Sequence, residues 1–122
     1  TISNCIRETK KHGSAVTVAP ATETIIQTDA NNIIRNTFPR TECHLASAPQ
    51  AFYLDEILAA HNLVKAKGKY DFIDSTSMML HLGMKIHTVE GPSENIKVTS
   101  PADFYICRAL MDAKENSQIY GI

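Results

Sequence analysis

The sequence predicts an α/β fold in which part of a layered sandwich carries one β-hairpin set apart from the sheet. Patterns typical of helices alternate along the chain with short apolar runs typical of strands. Two β-prone runs lie on either side of "DANN" at 29–32, where Asp and Asn favour a hairpin turn. The chain has 122 residues and is 43% apolar, which fits a single domain.

The first third of the chain predicts a helix, a buried strand and an isolated hairpin. A helix is expected over 2–12 with Gly13 as its end, and "SAVTVAP" predicts a strand over 14–19. The runs 24–28 and 33–38 predict a hairpin arm over 23–38. Because an isolated hairpin is marginally stable in water, we expect this arm to pack against something else, such as a second subunit.

The remaining two thirds predict three helices and two strands. "HLASAP" at 44–49 is expected to be a short extended connection, and the Met pair of "SMML" at 77–80 is expected in the core. The last helix has Ser100 as N-cap, Pro101 at its first position and the Asp103 carboxylate at its third. The expected helices are 53–66, 74–82 with Asp74 or Ser75 as cap, and 101–113, and the expected strands are 85–89 and 95–98.

Composition and charge exclude several classes of function. The net charge of -1 gives no electrostatic reason to expect nucleic acid or an anionic membrane as partner. No apolar run approaches the roughly 20 residues that span a bilayer. Three scattered cysteines, an odd number, favour a reducing compartment, and we expect the cytoplasm. The chain opens without Met inside an amphipathic pattern, so we expect it to be a fragment of a longer chain.

Common catalytic and metal-binding motifs do not occur in the sequence. The histidines lack metal-ligand spacing, so no metal site is predicted. The cysteines have no neighbouring His that would mark a nucleophile and are expected to be small buried residues, and neither GxGxxG nor GxxxxGK[ST] occurs. The five histidines are His12, His44, His61, His81 and His87.

Three polar residues stand where a phosphate could be bound. Lys97 lies between Ile96 and Val98 in a predicted buried strand, where its amine needs either a route to water or an anionic partner. Thr24 and Arg40 lie at the two ends of the predicted arm. Hydroxyl, guanidinium and ammonium donors together suit a phosphate. Each also has a simpler interpretation: β propensity for Thr24, a solvated arm residue for Arg40 and a snorkelling side chain for Lys97.

Four segments, in order along nearly the whole chain, carry a resemblance to a known family. They are "APATET" (19–24), "PR" (39–40), "APQAF" (48–52) and "VEGPSENIKVTSPADF" (89–104). The chain resembles the C-terminal half of the polyol-phosphate cytidylyltransferases, which comprise 2-C-methyl-D-erythritol 4-phosphate and ribitol-5-phosphate cytidylyltransferases. "NIKxT" is the most specific of these motifs.

The resemblance implies a fold and a reaction. The fold is a Rossmann-like nucleotidyltransferase three-layer sandwich with an extruded β-hairpin dimerisation arm, about 21–47. Residues 1–122 would form the C-terminal half of one domain whose CTP-binding N-terminal half is absent. The reaction transfers CMP from CTP, with Mg²⁺ bound to the triphosphate, to a polyol phosphate and releases pyrophosphate. The fragment alone is expected to be inactive.

The resemblance also implies roles for the three polar residues. Lys97 would be catalytic, approaching the reacting phosphates and binding substrate. Thr24 and Arg40 would bind the phosphate of the substrate held by the neighbouring subunit, because the arm of this family crosses to the partner of a homodimer.

Several positions depart from the family pattern, and two other classes of function stay open. Ile25 and Ile26 replace the basic residue that often follows the arm threonine; the other departures are Glu23, Pro39, Ala48 and Ser75. "ASAPQAF" and the C-terminal tail favour the ribitol branch. The first alternative is a catalytically lapsed homologue that acts as a dimerisation or assembly module. The second is a small α/β phosphate-binding domain, which would be a stable monomer.

Overall fold

The computed structural model describes residues 1–121 and divides the chain into two compact units. The first unit runs from Thr1 to Gly91 and contains the strands, and the second begins at Pro92. Helices of the first unit are α1 (Ile2–His12), α2 (Leu54–Ala66) and α3 (Ser75–His81). Its strands are β1 (Ser14–Pro20), β2 (Ile26–Thr28), β3 (Ile34–Thr37), β4 (His44–Phe52) and β5 (Thr88–Glu90). Helix α4 (Pro101–Tyr120) lies in the second unit.

A three-stranded sheet of order β4-β1-β5 forms the centre of the first unit. β1 is antiparallel to β4, from Ser14 opposite Phe52 to Pro20 opposite His44, and parallel to β5. The first five residues of β1 are buried, as its β-branched and apolar sequence predicts. The strand predicted over 14–19 is therefore confirmed, and the one predicted over 85–89 is shortened to β5.

β4 is a full sheet strand rather than the predicted short connection. Its middle, Ala46 to Pro49, is composed of small residues and a proline, which carry little β propensity. The strand forms because the backbone of β1 pairs with both of its ends, His44–Ala46 and Gln50–Phe52, on either side of an irregularity in the register. Residues 44–47, expected in the arm, lie in β4.

The strand predicted over 95–98 is wrong, because these residues have no regular secondary structure. Ile96 is 36% exposed and Val98 is 51% exposed. An apolar, β-branched segment forms a strand only where a neighbour supplies a hydrogen-bonded ladder, and no described strand pairs with this one.

The hairpin of β2 and β3 is a separate two-stranded sheet whose strand residues are all exposed. Asp29 closes its turn, since Oδ1 accepts hydrogen bonds from the backbone N–H groups of Asn31 (2.8 Å) and Ile33 (3.0 Å). Asn32 adopts a positive φ of 62°, a conformation that asparagine tolerates. The hairpin predicted around "DANN" is confirmed.

Helix α1 ends as predicted, at Gly13. This glycine has φ 88°, where a side chain would be strained, and its N–H donates to the carbonyl oxygen of Thr9 at 2.8 Å. Cys5 of this helix is fully buried, with Sγ 3.4 Å from the carbonyl oxygen of Ala15. The C-terminal end of α1 reaches the residue before β5, since the rings of His12 and His87 stack with centroids 4.5 Å apart.

The hydrophobic core of the first unit is built by α2 and α3. Met78 and Met79 are 2% and 1% exposed and pack with Ala60 and Val64. The prediction that the "SMML" pair is core is confirmed, and each such side chain contributes roughly 1.5–3 kcal/mol when it is fully buried. Partly buried apolar residues around this cluster are Phe52, Ile57, Phe72, Leu82 and Ile86.

Helix α4 begins as predicted and continues seven residues beyond the predicted end at 113. The extension, "KENSQIY", contains no Gly or Pro, and Gly121 is the first residue that interrupts the helix. None of the twenty residues of α4 is fully buried.

Candidate functional site

Arg40 lies at the base of the hairpin arm and folds back across it. Its Nη1 donates a hydrogen bond to the carbonyl oxygen of Thr22 at 3.0 Å. Arg40 opens a short 3₁₀ turn over Arg40–Glu42, which Pro39 precedes with φ -58°. A guanidinium has five N–H donors, so this bond leaves donors that can bind an anion. Pro39, one of the departures from the family pattern, thus directly precedes an ordered turn that holds Arg40.

Thr24 is exposed near the same arm base. The N–H of Phe38 donates to the carbonyl oxygen of Ile25 at 3.2 Å, which places Thr24 and Arg40 just beyond this pair on facing segments. The N–H of Ala21 donates to the carbonyl oxygen of Cys43 at 3.0 Å and closes the arm base next to the sheet. Thr24 and Arg40, both predicted as phosphate ligands, therefore lie on neighbouring segments at the base of the hairpin.

Lys97 lies in the second unit, in the irregular segment before α4. It is exposed, and so are Ile96 and Val98 on either side. Lys97 was predicted to lie in a buried strand, where its amine would need either a route to water or an anionic partner; the buried strand is wrong, because Lys97 is exposed and has no regular secondary structure. Lys97 is instead an exposed cation on a short segment whose two ends are held by hydrogen bonds.

The start of α4 fixes the downstream end of that segment. Asp103 Oδ2 accepts hydrogen bonds from the N–H of Thr99 (3.0 Å), the Oγ1 hydroxyl of Thr99 (2.9 Å) and the N–H of Ser100 (2.8 Å). In return, Ser100 Oγ accepts from the N–H of Asp103, which completes a capping box. The hydrogen bond from the Thr99 N–H, followed by that from the Ser100 N–H, lowers the pKa of Asp103 to about 2.

A second polar cluster joins β4 to α3. Gln50 Nε2 donates to Asp74 Oδ2 at 2.8 Å, while Gln50 Oε1 accepts from the Thr76 hydroxyl at 2.9 Å. Asp74 Oδ1 also accepts from the N–H of Ser77 at 2.8 Å, so Asp74 is the N-cap of α3. The hydrogen bond from Gln50, and then those from Ser77, lower the pKa of Asp74.

This cluster gives a structural role to Gln50 of "APQAF" and to Asp74, the residue before Ser75. Asp74 is a helix cap, one of the two possibilities that the sequence left open. The sequence interpretation missed Gln50, although it lies inside a quoted motif, because one glutamine carries no spacing signal that names its partner 24 residues away.

Gly91 marks a close approach between the end of β5 and the middle of β1. Its N–H donates to the carbonyl oxygen of Val18 at 2.9 Å. A Cβ at this position would lie 2.5 Å from Cγ2 of Thr17, which is fully buried. The glycine of "VEGPSENIK" is therefore required by packing at the end of the first unit.

Residues 1–121 contain neither a cluster of metal ligands nor a membrane-spanning helix. No group of three or more His, Cys, Asp or Glu side chains there is arranged to hold a metal ion. No helix in the described part of the chain combines the length and hydrophobicity of a membrane span. The three cysteines form no disulfide.

Comparison with known proteins identifies the class of fold. The structure of 2-C-methyl-D-erythritol 4-phosphate cytidylyltransferase from Thermus thermophilus superimposes with a TM-score of 0.75 and 26% identity, over 89% of this chain and 53% of that one. The mixed α/β fold is thus that of a cytidylyltransferase. Over residues 1–113 the chain matches the family described as IspD, 2-C-methyl-D-erythritol 4-phosphate cytidylyltransferase, and it belongs to that family.

Curated relatives of high identity come from the ribitol branch. A ribitol-5-phosphate cytidylyltransferase of Vibrio parahaemolyticus is 41% identical over 98% of this chain and 50% of its own length. One from Streptococcus agalactiae is 44% identical over 96% of this chain and 49% of its own length. The resemblance read from the sequence motifs is confirmed, and the chain spans about half the length of these relatives.

Proposed function

We propose that the full-length protein containing this chain transfers CMP from CTP to a polyol phosphate, with ribitol 5-phosphate as the preferred acceptor. The observation that supports this proposal best is the identity of 41% and 44% to proteins named ribitol-5-phosphate cytidylyltransferase. Because the chain spans about half of those relatives, the proposal concerns the full-length protein, and we expect the isolated chain to be inactive.

In this reaction an oxygen of the polyol phosphate attacks the α-phosphorus of CTP. The new P–O bond forms as the bond from the α-phosphorus to the oxygen bridging it to the β-phosphorus breaks, and pyrophosphate leaves with that oxygen. The chemistry needs positioning and charge stabilisation more than a general base. Mg²⁺ bound with CTP would neutralise part of the triphosphate charge, and we assign no residue of this chain to it, since no described acidic cluster suits a metal.

Arg40 and Lys97 have distinct roles in the proposal. Arg40, with guanidinium donors left over from its bond to Thr22, binds the phosphate of the polyol together with the Thr24 hydroxyl. Lys97 stabilises the negative charge that builds up around the α-phosphorus. Arginine suits the phosphate of the polyol because its fork can bind the two oxygens that do not attack, whereas lysine acts as a compact charge.

The arm completes the site of a second copy in this proposal. All of its strand residues are exposed, and the apolar Ile33 of the turn (62% exposed) and Ile34 of β3 (59% exposed) favour burial against another chain. We therefore propose a homodimer of three-layer Rossmann-like domains in which Thr24 and Arg40 serve the partner's site. The undisulfided cysteines suit a reducing compartment, and we propose the cytoplasm.

Turnover with two acceptors tests the reaction. The full-length protein is given CTP, Mg²⁺ and either ribitol 5-phosphate or 2-C-methyl-D-erythritol 4-phosphate, and both pyrophosphate and the CDP-polyol are measured. We expect a higher kcat/KM with ribitol 5-phosphate. A higher kcat/KM with 2-C-methyl-D-erythritol 4-phosphate would still support a cytidylyltransferase, but one of the methylerythritol branch instead of the ribitol branch. No turnover of either by a folded dimer would overturn the proposal and favour an assembly module.

Mixing two variants tests whether the site is shared between subunits. Arg40→Ala and Lys97→Ala are each prepared as homodimers of low activity and then mixed under conditions that exchange subunits. If the two residues serve one site from different chains, half of the dimers are mixed and one of their two sites is intact, so about a quarter of wild-type activity returns. Activity that stays at the average of the two variants, with mixed dimers present, would contradict the shared site.

A further inference from the structure

We propose that Asp103 is a positioning residue of the cytidylyl transfer: its carboxylate holds the backbone segment that carries Lys97 and does not itself touch substrate. The proposal rests on the proposed function, because it assigns Asp103 an effect that acts through Lys97. Two features of the structure support it: the number and targets of the Asp103 hydrogen bonds, and the shortness of the segment that they hold.

The Asp103 hydrogen bonds extend beyond the helix that they cap. In an ordinary capping box the third helical residue accepts one hydrogen bond, from the N–H of the N-cap residue. Asp103 accepts that bond from Ser100 and two more from Thr99, which precedes the cap. The bonds to Thr99 satisfy no donor of α4, so their effect falls on the segment before the helix.

The segment that carries Lys97 is fixed at both ends. Upstream, the N–H of Asn95 donates to the carbonyl oxygen of Pro92 at 3.1 Å, and the N–H of Ile96 donates to that of Glu94 at 2.9 Å. Downstream, Asp103 holds Thr99. The backbone of Lys97 therefore has at most one residue between it and an ordered neighbour on either side.

Charge and position agree with this role. Because the pKa of Asp103 is lowered to about 2, its carboxylate stays ionised at every pH at which the enzyme would work. Its three acceptor bonds are all made within the chain, so Asp103 is engaged with the backbone rather than presented to a ligand. A reacting group displaced by about 1 Å can lose about 10²-fold in rate, so fixing the backbone of Lys97 has a measurable effect.

The experiment is a double-mutant cycle on kcat in the full-length protein, using Lys97→Ala, Asp103→Ala and the double variant. We expect Asp103→Ala to lower kcat by about 10- to 100-fold when Lys97 is present and to have no further effect when it is absent. Asp103→Asn, which keeps an acceptor oxygen, is expected to restore part of the loss. Asp112→Ala is the matched control, because it removes a carboxylate from the same helix and should leave kcat unchanged.

Ser100→Ala separates positioning from helix capping. This variant removes the hydroxyl that accepts from the Asp103 N–H, so α4 loses part of its cap, but it leaves all three bonds accepted by Asp103. We expect Ser100→Ala to lower the thermal midpoint while keeping kcat within about 2-fold of wild type. An equal fall of kcat in Ser100→Ala and Asp103→Ala would overturn the proposal.

Further outcomes distinguish failure of this proposal from failure of the proposed function. A loss of the same factor from Asp103→Ala with and without Lys97 would overturn the positioning role alone. An unchanged kcat in Lys97→Ala would overturn both that role and the assignment of Lys97. If the protein turned over neither acceptor, the proposed function would fail. Amide hydrogen exchange would then still test whether Asp103 holds the segment before α4. An exchange rate of the Thr99 N–H that is the same in Asp103→Ala as in wild type would overturn that role.

Discussion

Gly91→Ala is expected to destabilise the protein because the position has no room for a methyl group. The new Cβ would lie 2.5 Å from Cγ2 of Thr17, about 1 Å closer than carbon atoms pack. Thr17 is fully buried and cannot turn away, while the hydrogen bond from the Gly91 N–H to Val18 ties the backbone at 2.9 Å. Overpacking of this kind costs typically about 1–3 kcal/mol.

Thermal unfolding of the full-length protein measures this loss. For chains of about 150 to 250 residues, 1 kcal/mol moves Tm by about 2–4 °C, so Gly91→Ala should lower Tm by about 2–12 °C. Thr17→Ser is the matched partner variant, because it removes Cγ2 and keeps the hydroxyl. Combined with Gly91→Ala, it should recover at least half of the loss, as expected for two atoms in direct contact.

Two results would refute this reasoning. A Tm of Gly91→Ala within about 1 °C of wild type would show that β5 and β1 are not held as close as the structure places them, since about 1 kcal/mol moves Tm by more than that. Additive effects of Gly91→Ala and Thr17→Ser would show that the cost of the alanine arises elsewhere, for example from the backbone of residue 91 itself.

Three further predictions concern buried and capping groups. Asp74→Ala should lower the free energy of unfolding by about 1–3 kcal/mol, because α3 loses its N-cap and Gln50 loses a hydrogen-bonding partner. Urea denaturation measures this loss, and an unchanged free energy of unfolding would refute the prediction. Thr17→Val should stabilise by about 1–2 kcal/mol, because the buried Oγ1 has no described partner; destabilisation in the same assay would contradict this. Asp103 should stabilise the folded state fully above pH 3.8, and this stabilisation should be lost as pH falls through about 2. Thermal scans should therefore show a smaller fall of Tm over this acid range in Asp103→Asn than in wild type; an equal fall would argue against this role.

Elements with a strong local pattern were predictable from the sequence. After Ser14, β1 is continuously apolar or β-branched, and Asp29 and Asn32 supply the turn chemistry of the hairpin. Ser100 and Asp103 mark the start of α4 by their spacing. Each of these signals depends on residues a few positions apart, so it does not require knowledge of the tertiary structure.

The errors concern elements that depend on distant neighbours. β4 has weak β propensity and forms because β1 pairs with it, whereas Ile96 and Val98 have strong β propensity and form no strand because no described strand pairs with them. The pairing of Gln50 with Asp74 is equally non-local. Strand pairing is a property of the assembled sheet, and a pattern along one segment does not encode it.

The roles of Thr24, Arg40 and Lys97 stay predictions, but the structure shows the surroundings of each residue. Thr24 and Arg40 lie on neighbouring segments at the arm base, as expected for the two ends of a hairpin, whereas the hydrogen bond from Arg40 to Thr22 has no local sequence signal. Lys97 was selected for the wrong physical reason, since it is solvated rather than buried in a strand. Its proposed role now depends on its exposure, on the hydrogen bonds that hold its segment and on the family to which the chain belongs.

The most direct test of the account is steady-state kinetics of wild type, Arg40→Ala and Lys97→Ala in the full-length protein, with CTP, Mg²⁺ and ribitol 5-phosphate. We expect Arg40→Ala chiefly to raise KM for the polyol phosphate, because it removes a ligand of the acceptor phosphate. We expect Lys97→Ala chiefly to lower kcat, because the charge of Lys97 acts in the transition state. Wild-type kcat and KM in both variants of an active enzyme would contradict the central claim that these two cations handle the reacting phosphates.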